Sequence, residues 1–332
     1  NLGAGRPGRL LLAFHHLVAD GVSWRIVLED LTTAYRMLRR GGTPGSLALP
    51  PKTTAYRDWA ARLAEYAGSP ALLVEAPYWR ELTAQPVAAL PVDHPGGRNT
   101  YGATDDVTLS LSAAETQALL QEAPAAYGTQ INDLLLTALA RTFATWTGSP
   151  QLLVEMEGHG REDLFPDMDV SRTVGWFTSI YPVAFDLRGV RQPADAVRAV
   201  KDTLRRVPNR GIGFGLLRYL ADASDEVAPL RAMPQPEVSF NYLGQLDQVL
   251  NEGAAFAPAR EDRGPDRSLR GGRTYPLEVN GGIMAGRLQL SLAYSDALHR
   301  RETIEKLGQE YAAALRAIIA QGQAPAGPDE AL

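Results

Sequence analysis

Cysteine is absent from the 332 residues of this chain. Disulfide bonds, thiolate metal sites and a cysteine nucleophile are therefore excluded. We expect no signal peptide, and no apolar run approaches the roughly 20 residues that span a bilayer. Lys and Arg total 33 against 38 Asp and Glu, giving a formal net charge of −5, which argues against a nucleic-acid-binding protein. We expect a soluble, cytoplasmic protein with neither a membrane nor a nucleic acid among its partners.

The composition is that of a globular protein, with 45% hydrophobic and 21% charged residues. At about 150 residues per domain, the length predicts two structural units. We place their boundary at the turn-rich stretch 91–97, which gives a first unit of residues 1–97 and a second of residues 98–322. Residues 323–332, with their Pro and Gly, are predicted to be a linker tail. Because strands and helices are intermixed, the predicted fold class is mixed α/β.

The first unit begins with a short apolar run, Arg9–Phe14, which predicts a strand buried on both faces. Apolar residues then recur at spacings of four and three from Trp24 to Leu38, the pattern of an amphipathic helix. Arg39 and the glycines that follow are expected to end this helix. A core strand so near the first residue leads us to expect that the front of this unit is missing from the chain.

The second unit is predicted to contain a strongly apolar helix, Ile131–Trp146, and a last amphipathic helix that carries Ile304. The sequence NGG at 280–282 predicts a hairpin turn before the last strand. The strands themselves are predicted at 106–111, 152–157, 176–185, 237–243 and 287–294.

Two histidines lie between the first predicted strand and the first helix, in the sequence HHLVADG at 15–21. Histidine can give or take a proton near neutral pH, since its ordinary pKa is about 6.5. If the strand extends through them, His15 and His16 point in opposite directions, so one faces a cleft while the other is a structural histidine held by local hydrogen bonds. Asp20 is expected to cap the following helix or to form an ion pair that fixes the loop. Gly21 is expected to relieve crowding or to adopt a positive φ.

A carboxylate at a strand end is the second candidate. Glu155 and Glu157 share one face of the strand predicted at 152–157, and the glycines after Glu157 would let a ligand approach closely. The alternative is a charged edge on which Arg161 and Glu162 form a solvated pair. The histidine at 159 lacks the spacing of a metal motif such as HExxH, so no metal site is predicted.

Two further stretches are candidates for a cleft. Residues 208–215 are glycine-rich but lack the GK[ST] and GxGxxG patterns, so they predict a flexible loop and not a phosphate loop. In FNYLGQ at 240–245, alternation places Asn241 and Tyr242 on opposite faces, so only one of them should reach a given site. No GxSxG nucleophile motif occurs. One imidazole and one carboxylate on separate units remain, and proton transfer is their natural joint task.

HHLVADG at 15–21 resembles the HHxxxDG motif of the condensation-type domains of nonribosomal peptide synthetases, a superfamily related to chloramphenicol acetyltransferase. The resemblance implies two chloramphenicol acetyltransferase-like lobes in a V arrangement, with the active site between them and the first lobe incomplete in this chain. Four further stretches resemble the epimerization branch of the superfamily: EGHGRE at 157–162, RTVGWFTSIYPV at 172–183, PNRGIGFG at 208–215 and FNYLGQ at 240–245.

The resemblance to this branch implies a reaction and its residues. An epimerization domain inverts the α-carbon, from L to D, of an aminoacyl or peptidyl thioester. His16 and Glu157 are implied as the catalytic pair: either one removes the α-proton and the other returns it, in an order that stays open, or one acts alone while the other stabilises the enolate-like intermediate. Asn241 and Tyr242 are implied as hydrogen-bonding residues near the thioester.

The resemblance also implies the partners. No cofactor is expected to bind the domain directly, because 4'-phosphopantetheine arrives on an upstream peptidyl carrier domain; neighbouring synthetase modules are further partners. Asp20 and Arg161 are expected to be structural, as a pair. Two alternatives stay open. A condensation domain, which forms an amide bond between carrier-bound groups, would share His16 without needing Glu157, and a catalytically silent module would only dock carrier domains.

Overall fold

The computed structural model describes residues 8–84, 87–245, 256–257, 259 and 261–323. The predicted linker tail lies outside the described residues, apart from Gln323, which ends the last helix. None of the helices in these ranges is both long and apolar enough to cross a membrane. The α-helices are α1 (Gly21–Arg39), α2 (Tyr56–Ala67), α3 (Pro70–Leu73), α4 (Ala76–Thr83), α5 (Ala113–Gln117), α6 (Ala123–Tyr127), α7 (Ile131–Thr147), α8 (Pro193–Arg206), α9 (Ile212–Tyr219), α10 (Ala228–Ala232) and α11 (Arg301–Gln323).

One mixed sheet lies at the centre of the described residues, with the strand order β1-β6-β5-β4-β2-β3. Strand β4 is parallel to both of its neighbours, β2 and β5, whereas the other pairs are antiparallel. The predicted mixed α/β class is confirmed. The strands are β1 (Thr104–Ser110), β2 (Gln151–Gly158), β3 (Ser179–Asp186), β4 (Val238–Gln245), β5 (Leu277–Met284) and β6 (Arg287–Ser295).

The two faces of the sheet differ in chemistry, because side chains alternate along each strand. One face carries an apolar row in which Met156, Phe240, Val279 and Leu292 are neighbours on four adjacent strands. All four are buried. The opposite face carries polar side chains on β2, β4 and β5: Glu155, Glu157, Ser239, Asn241, Glu278 and Asn280.

Helix α7 is the most deeply buried helix of the layer that packs on the sheet. Apolar residues surround it on nearly every side, and it contacts β2, α8 and α11. It ends where Gly148 adopts the left-handed conformation at a φ of 69°, which satisfies the last turn of the helix. Leu135 and Phe143 have no exposed surface, and burying each contributes about 1.5–3 kcal/mol.

Helices α3 and α4, with the last residue of α2, join the main hydrophobic core, whereas Trp59 of α2 belongs to a smaller cluster with Phe165 and Phe177. Trp79 of α4 has no exposed surface, and its ring centroid lies 5.1 Å from that of Phe214 in α9. One continuous cluster of buried residues extends from Ala67 to Ile319. Because this cluster contains residues from both sides of position 97, the division into two units stays a prediction.

One strand prediction was wrong, and the start of another was misplaced. Arg9–Phe14 has no strand conformation, and Leu10 and Leu11 are 57% and 75% exposed. The described residues provide no neighbouring strand for its backbone to pair with, and an unpaired segment gains nothing from β conformation. The strand predicted to begin at residue 176 begins at Ser179. The backbone before it is instead bonded to the side chains of Asp20 and Ser23.

The predicted hairpin turn was also placed wrongly. The turn lies at Ala285 and Gly286, whose φ angles of 49° and 68° are the left-handed pair that a tight hairpin needs. Gly281 of the predicted turn lies inside β5, paired with Leu290. A Cβ there would lie 2.1 Å from the carbonyl oxygen of Gln289. This glycine therefore permits close strand contact and does not form a turn.

Candidate functional site

The two histidines lie at a short 3-10 turn, His16–Val18, directly before α1. His15 caps this turn, because its Nδ1 accepts a hydrogen bond from the backbone N–H of Leu17 at 3.1 Å. The ring of His16 lies against that of Trp176, with the centroids 5.7 Å apart. The two imidazoles thus have different surroundings, as predicted. The reason is the conformation of the turn, because the segment is not a strand in which side chains alternate between two faces.

Asp20 both begins α1 and joins it to distant parts of the chain. Its carboxylate accepts the backbone N–H of Ser23 at 2.7 Å, as an N-cap, and that of Phe177 at 3.1 Å. The Arg161 guanidinium donates to both carboxylate oxygens, at 2.7 and 3.0 Å. Burial by itself would raise the pKa of Asp20, but the hydrogen bonds from Arg161 and Ser23 outweigh it and hold this pKa below its ordinary value. Asp20 is therefore an N-cap and an ion-pair partner at once.

Gly21 meets neither expectation for a glycine, and that prediction was wrong. Its φ is not positive, and no described atom lies within 4 Å of the place where a Cβ would stand. The physical reason is that Asp20 enters the helix with extended backbone, at a φ of −116°. No left-handed residue is therefore needed at the helix start.

The loop after β2 fixes Arg161. Gly160 has a φ of 66°, and a Cβ on it would lie 1.6 Å from the carbonyl oxygen of Phe177, so only glycine fits. The Arg161 guanidinium lies 4.1 Å from the centroid of the Phe177 ring, and its side chain is 6% exposed. Glu162 instead lies 3.4 Å from His159, so the alternative of a solvated Arg161–Glu162 pair was wrong. No group of three or more potential metal ligands occurs within the described ranges.

Glu157 stands near the end of β2 on the polar face of the sheet. Asn241, on the neighbouring strand β4, donates its Nδ2 hydrogen to the Glu157 carboxylate at 2.6 Å. Although solvent reaches this side chain, the surrounding protein displaces enough water to raise the pKa of Glu157. A charge on His16 opposes this rise in pKa, whereas Glu278 and Glu155 add to it. Glu157 is thus within electrostatic reach of His16.

Tyr242 follows Asn241 on β4 and lies on the opposite face, packed against the main core. Burial raises the pKa of its hydroxyl. The structure therefore brings Asn241, and not Tyr242, to Glu157. A role for Tyr242 near a bound thioester stays a prediction.

Glu155 lies two residues before Glu157 on the same face and is 5% exposed. The Tyr275 hydroxyl donates to its Oε2 at 2.6 Å, and the Gln235 amide donates to the same oxygen. Burial raises the pKa of Glu155, and these two uncharged donors lower it only in part. A buried carboxyl group thus lies next to Glu157 on the same face of β2.

Residues 208–215 are not a flexible loop, so that prediction was wrong. They form a 3-10 turn and the first half of α9. Asn209, Arg210 and Gly211 have successive φ angles of 40°, 50° and 85°, a strained left-handed run for the two residues that have a side chain. The buried carboxylate of Glu75 holds this run, because it accepts a hydrogen bond from the Asn209 amide at 2.7 Å.

Three side chains that shape the site were not predicted from the sequence: Ser23, Glu75 and Trp176. The Ser23 hydroxyl donates to the carbonyl of Gly175 at 2.9 Å and accepts its N–H at 3.0 Å. Ser23 follows the HHLVADG motif, and Trp176 lies within a second motif. Their positions could therefore have identified both as site residues. Glu75 carried no such signal, because a glutamate ahead of a helix is typical of an exposed surface.

A family model of the condensation domain matches residues 6–328. A linear gramicidin synthase protein of Brevibacillus parabrevis is 46% identical over 324 residues, which are 97% of this chain and 4% of that protein. Chondramide synthase of Chondromyces crocatus is 48% identical over 321 residues, 95% of this chain and 8% of that protein. The chain therefore spans less than a tenth of either relative.

A solved structure is similar over most of the chain. It is the epimerization domain from the third module of tyrocidine synthetase B, which superposes with a TM-score of 0.86 at 38% identity. The match covers 93% of this chain and 68% of that structure. The resemblance read from the motifs is confirmed: the chain belongs to the condensation domain family.

Proposed function

We propose that this chain is an epimerization domain of a nonribosomal peptide synthetase. Its substrate is an aminoacyl or peptidyl thioester on the 4'-phosphopantetheine arm of an upstream peptidyl carrier domain. The reaction inverts the α-carbon from L to D. The 4'-phosphopantetheine arm is part of the substrate, because the carrier domain brings it to the site. We also propose that the protein acts in the cytoplasm.

The observation that carries the proposal is the pairing of one carboxyl and one imidazole. Glu157 and His16 come from distant parts of the chain, but the ion pair between Arg161 and Asp20, four residues after each of them, joins their two segments at 2.7 Å. The Asn241 amide donates a hydrogen bond to the carboxyl at 2.6 Å, and burial raises the pKa of Glu157 above its ordinary value. Inversion needs one such group on each side of the reacting carbon.

The chemistry uses these two groups in sequence. One residue takes the α-proton, and the electron pair of the C–H bond moves toward the thioester carbonyl, which stabilises an enolate-like intermediate. The other residue delivers its proton to the opposite face, forming the new C–H bond. Exchange of protons with solvent then restores both residues. Asp20 and Arg161 bond to each other, and Asp20 also accepts the backbone N–H of Ser23, so the pair fixes the start of α1, next to His16.

Similarity to the epimerization domain of tyrocidine synthetase B supports this assignment over the alternatives. A condensation domain would use His16 to form an amide bond and would not need Glu157 at this position. A module that only docks carrier domains would need neither side chain.

The test uses a carrier domain loaded with an L-aminoacyl or L-peptidyl pantetheine thioester, incubated with the full chain in heavy water. Wild type should give deuterium at the α-carbon and a D/L mixture. His16→Ala and Glu157→Gln should each slow inversion by about 10²–10⁴-fold, the usual contribution of a general acid or base. Glu81→Gln, an exposed glutamate on α4, is the matched control and should leave the rate unchanged.

Each contrary outcome supports another function. Absence of both deuterium and D product, with a folded protein that binds the carrier, overturns the epimerase assignment. Amide formation that survives Glu157→Gln identifies a condensation domain. Carrier binding without any turnover, unaffected by either variant, identifies a docking module.

A further inference from the structure

The His16 ring depends on one aromatic neighbour. It belongs to an exposed turn, and no hydrogen bond to the ring occurs among the described residues. Its ring contact is with Trp176, at 5.7 Å between centroids and 53° between planes, within the range of favourable aromatic pairs. A side chain in such a turn has several rotamers available unless a neighbour restricts it. The indole is therefore the aromatic neighbour, among the described residues, that lies where it can restrict the direction of the imidazole.

Trp176 is held from both sides along the backbone. The N–H of Gly175, before it, donates to the Ser23 hydroxyl at 3.0 Å, and the N–H of Phe177, after it, donates to the Asp20 carboxylate at 3.1 Å. Both acceptors are buried in the first turn of α1. The element that follows His16 in the chain thus also fixes the backbone of its aromatic neighbour.

Tyr56 adds a third support. Its hydroxyl donates to the carbonyl oxygen of Trp176 at 2.8 Å. Its ring fills the space beside Gly175, where a Cβ would lie 2.3 Å from a ring carbon. The indole Nε1 of Trp176 is buried and has no hydrogen-bond partner within the described part of the chain. The indole is therefore placed by its backbone and by packing, and not by its own polar group.

We propose that Trp176 is a positioning residue, which holds the His16 imidazole in the direction needed for proton transfer. The proposal rests on the proposed epimerization. Trp176 acts through the ring of His16 and not on the substrate. Because the indole N–H bonds to no described group, Trp176→Phe keeps an aromatic face without removing a known hydrogen bond.

The test measures α-hydrogen exchange in heavy water, separately from the L and the D thioester. In a two-residue mechanism each enantiomer presents its hydrogen to one residue, so His16→Ala and Glu157→Gln should suppress exchange from opposite enantiomers. Trp176→Leu should slow exchange by about tenfold for the enantiomer that depends on His16, since small misplacement of a reacting group has effects of this order or larger. Exchange from the other enantiomer should stay unchanged, and Trp176→Phe should retain most of both.

A matched control exists elsewhere in the fold. Trp146 contacts the His299 ring with nearly the same geometry, 5.9 Å between centroids and 55° between planes. Trp146→Leu removes a comparable contact and should not alter the ratio of the two exchange rates. Tyr56→Phe, which keeps the ring and removes one hydrogen bond, should reproduce the Trp176→Leu asymmetry in weaker form and remains informative if Trp176→Leu does not fold.

The outcomes separate this proposal from the proposed function. If wild type exchanges no α-hydrogen, the proposed function fails. If wild type epimerizes but Trp176→Leu and Tyr56→Phe slow both enantiomers equally, Trp176 has only a structural role and the proposal is overturned. Loss of activity in Trp176→Phe equal to that in Trp176→Leu would also overturn it, because the aromatic face would then not be what matters.

Discussion

Two buried carboxyl groups near the site, Asp20 and Glu155, shift their pKa values in opposite directions because their hydrogen-bond donors differ. Asp20 faces a guanidinium from Arg161 as well as backbone N–H groups, and these favour the charged form. Glu155 accepts its hydrogen bonds from a tyrosine hydroxyl and a glutamine amide, and although these and the charge of Arg218 lower its pKa, burial outweighs them and raises it. A charged hydrogen-bond donor thus reverses the effect of burial on the pKa of Asp20, whereas the uncharged donors of Glu155 do not reverse it.

The Glu155→Gln variant tests this difference through stability. The unfolded chain releases the Glu155 proton near the ordinary value of 4.5, whereas the folded protein keeps it to higher pH. The contribution of Glu155 to the free energy of unfolding is therefore fully present below pH 4.5, its ordinary pKa. It is lost as pH rises through the raised pKa of the folded protein, by at most about 1.4 kcal/mol per pH unit. Wild type should therefore lose stability relative to Glu155→Gln as pH rises. Urea unfolding of both proteins from about pH 4 to about pH 8 measures this, and a difference independent of pH would contradict it.

The Asp20→Asn variant should be strongly destabilised. In wild type, the side chains of Asp20 and Arg161 are 2% and 6% exposed. Removing one partner of a buried ion pair of this kind costs about 3–5 kcal/mol of stability. Since the pKa of Asp20 is lowered, its contribution is present above the ordinary value and is lost as pH falls through the lowered pKa. Urea unfolding at neutral pH is the measurement.

Asp58→Asn provides the control for the Asp20 variant. Asp58 pairs with Arg57 at 3.0 Å on the surface, where the two side chains are 48% and 89% exposed. Such pairs contribute about 0–1 kcal/mol. Equal losses in the two variants would contradict the importance assigned to burial of the Asp20–Arg161 pair.

At the scale of the element, α9 shows how one helix is fitted against another. Gly213 lies against the buried Glu75 carboxylate, where a Cβ would be 2.1 Å from Oε2. Two residues further on, Gly215 has no atom within 4 Å of the same position. Glycine is therefore needed at position 213, where Glu75 approaches the helix backbone, but not at position 215, where a side chain has room.

Alanine at these two positions should have opposite effects. Gly213→Ala forces Glu75 or the helix to move, and overpacking of this kind costs about 1–3 kcal/mol. Gly215→Ala has room and a better helix propensity, so it should stabilise the protein by up to about 1 kcal/mol. Thermal unfolding of the two variants provides the comparison, and destabilisation of equal size in both would contradict it.

Elements with strong periodicity were predictable from the sequence, whereas those decided by distant contacts were not. Helix α7 needed only its apolar pattern and the glycine after it. The chain around Trp176 has apolar residues suited to a strand, but side chains of α1 take its backbone N–H groups. Asn241 and Tyr242 could be assigned to opposite faces from alternation, yet only the register of β4 beside β2 shows which one meets Glu157. The aromatic neighbour of His16 depends on a contact between segments far apart in the chain, which no local pattern contains.

At the scale of the whole molecule, the main core cluster predicts a single unfolding transition, because it contains residues from both sides of position 97. Trp79 of α4 has no exposed surface and donates its indole N–H to Glu75 at 3.1 Å. Trp79→Ala should destabilise by about 3–5 kcal/mol, and the loss should appear equally in far-UV circular dichroism and in hydrogen exchange of β5 and β6. Tyr219→Ala, at a residue 70% exposed, should change stability by less than about 0.5 kcal/mol. Two separate transitions would instead support the boundary predicted at residue 97.

The order of strands in the sheet has a consequence for synthesis on the ribosome. Glu157 emerges on β2, but its partner on β4 follows 84 residues later. At about 5–20 residues per second, β2 waits roughly 4–17 s for that neighbour. During this interval, the edge of β2 that will pair with β4 is unpaired. Because an unpaired strand edge can bind another chain, the nascent protein can aggregate at this edge. We expect ribosome-bound chains that end between β3 and β4 to be the species that chaperones bind most strongly.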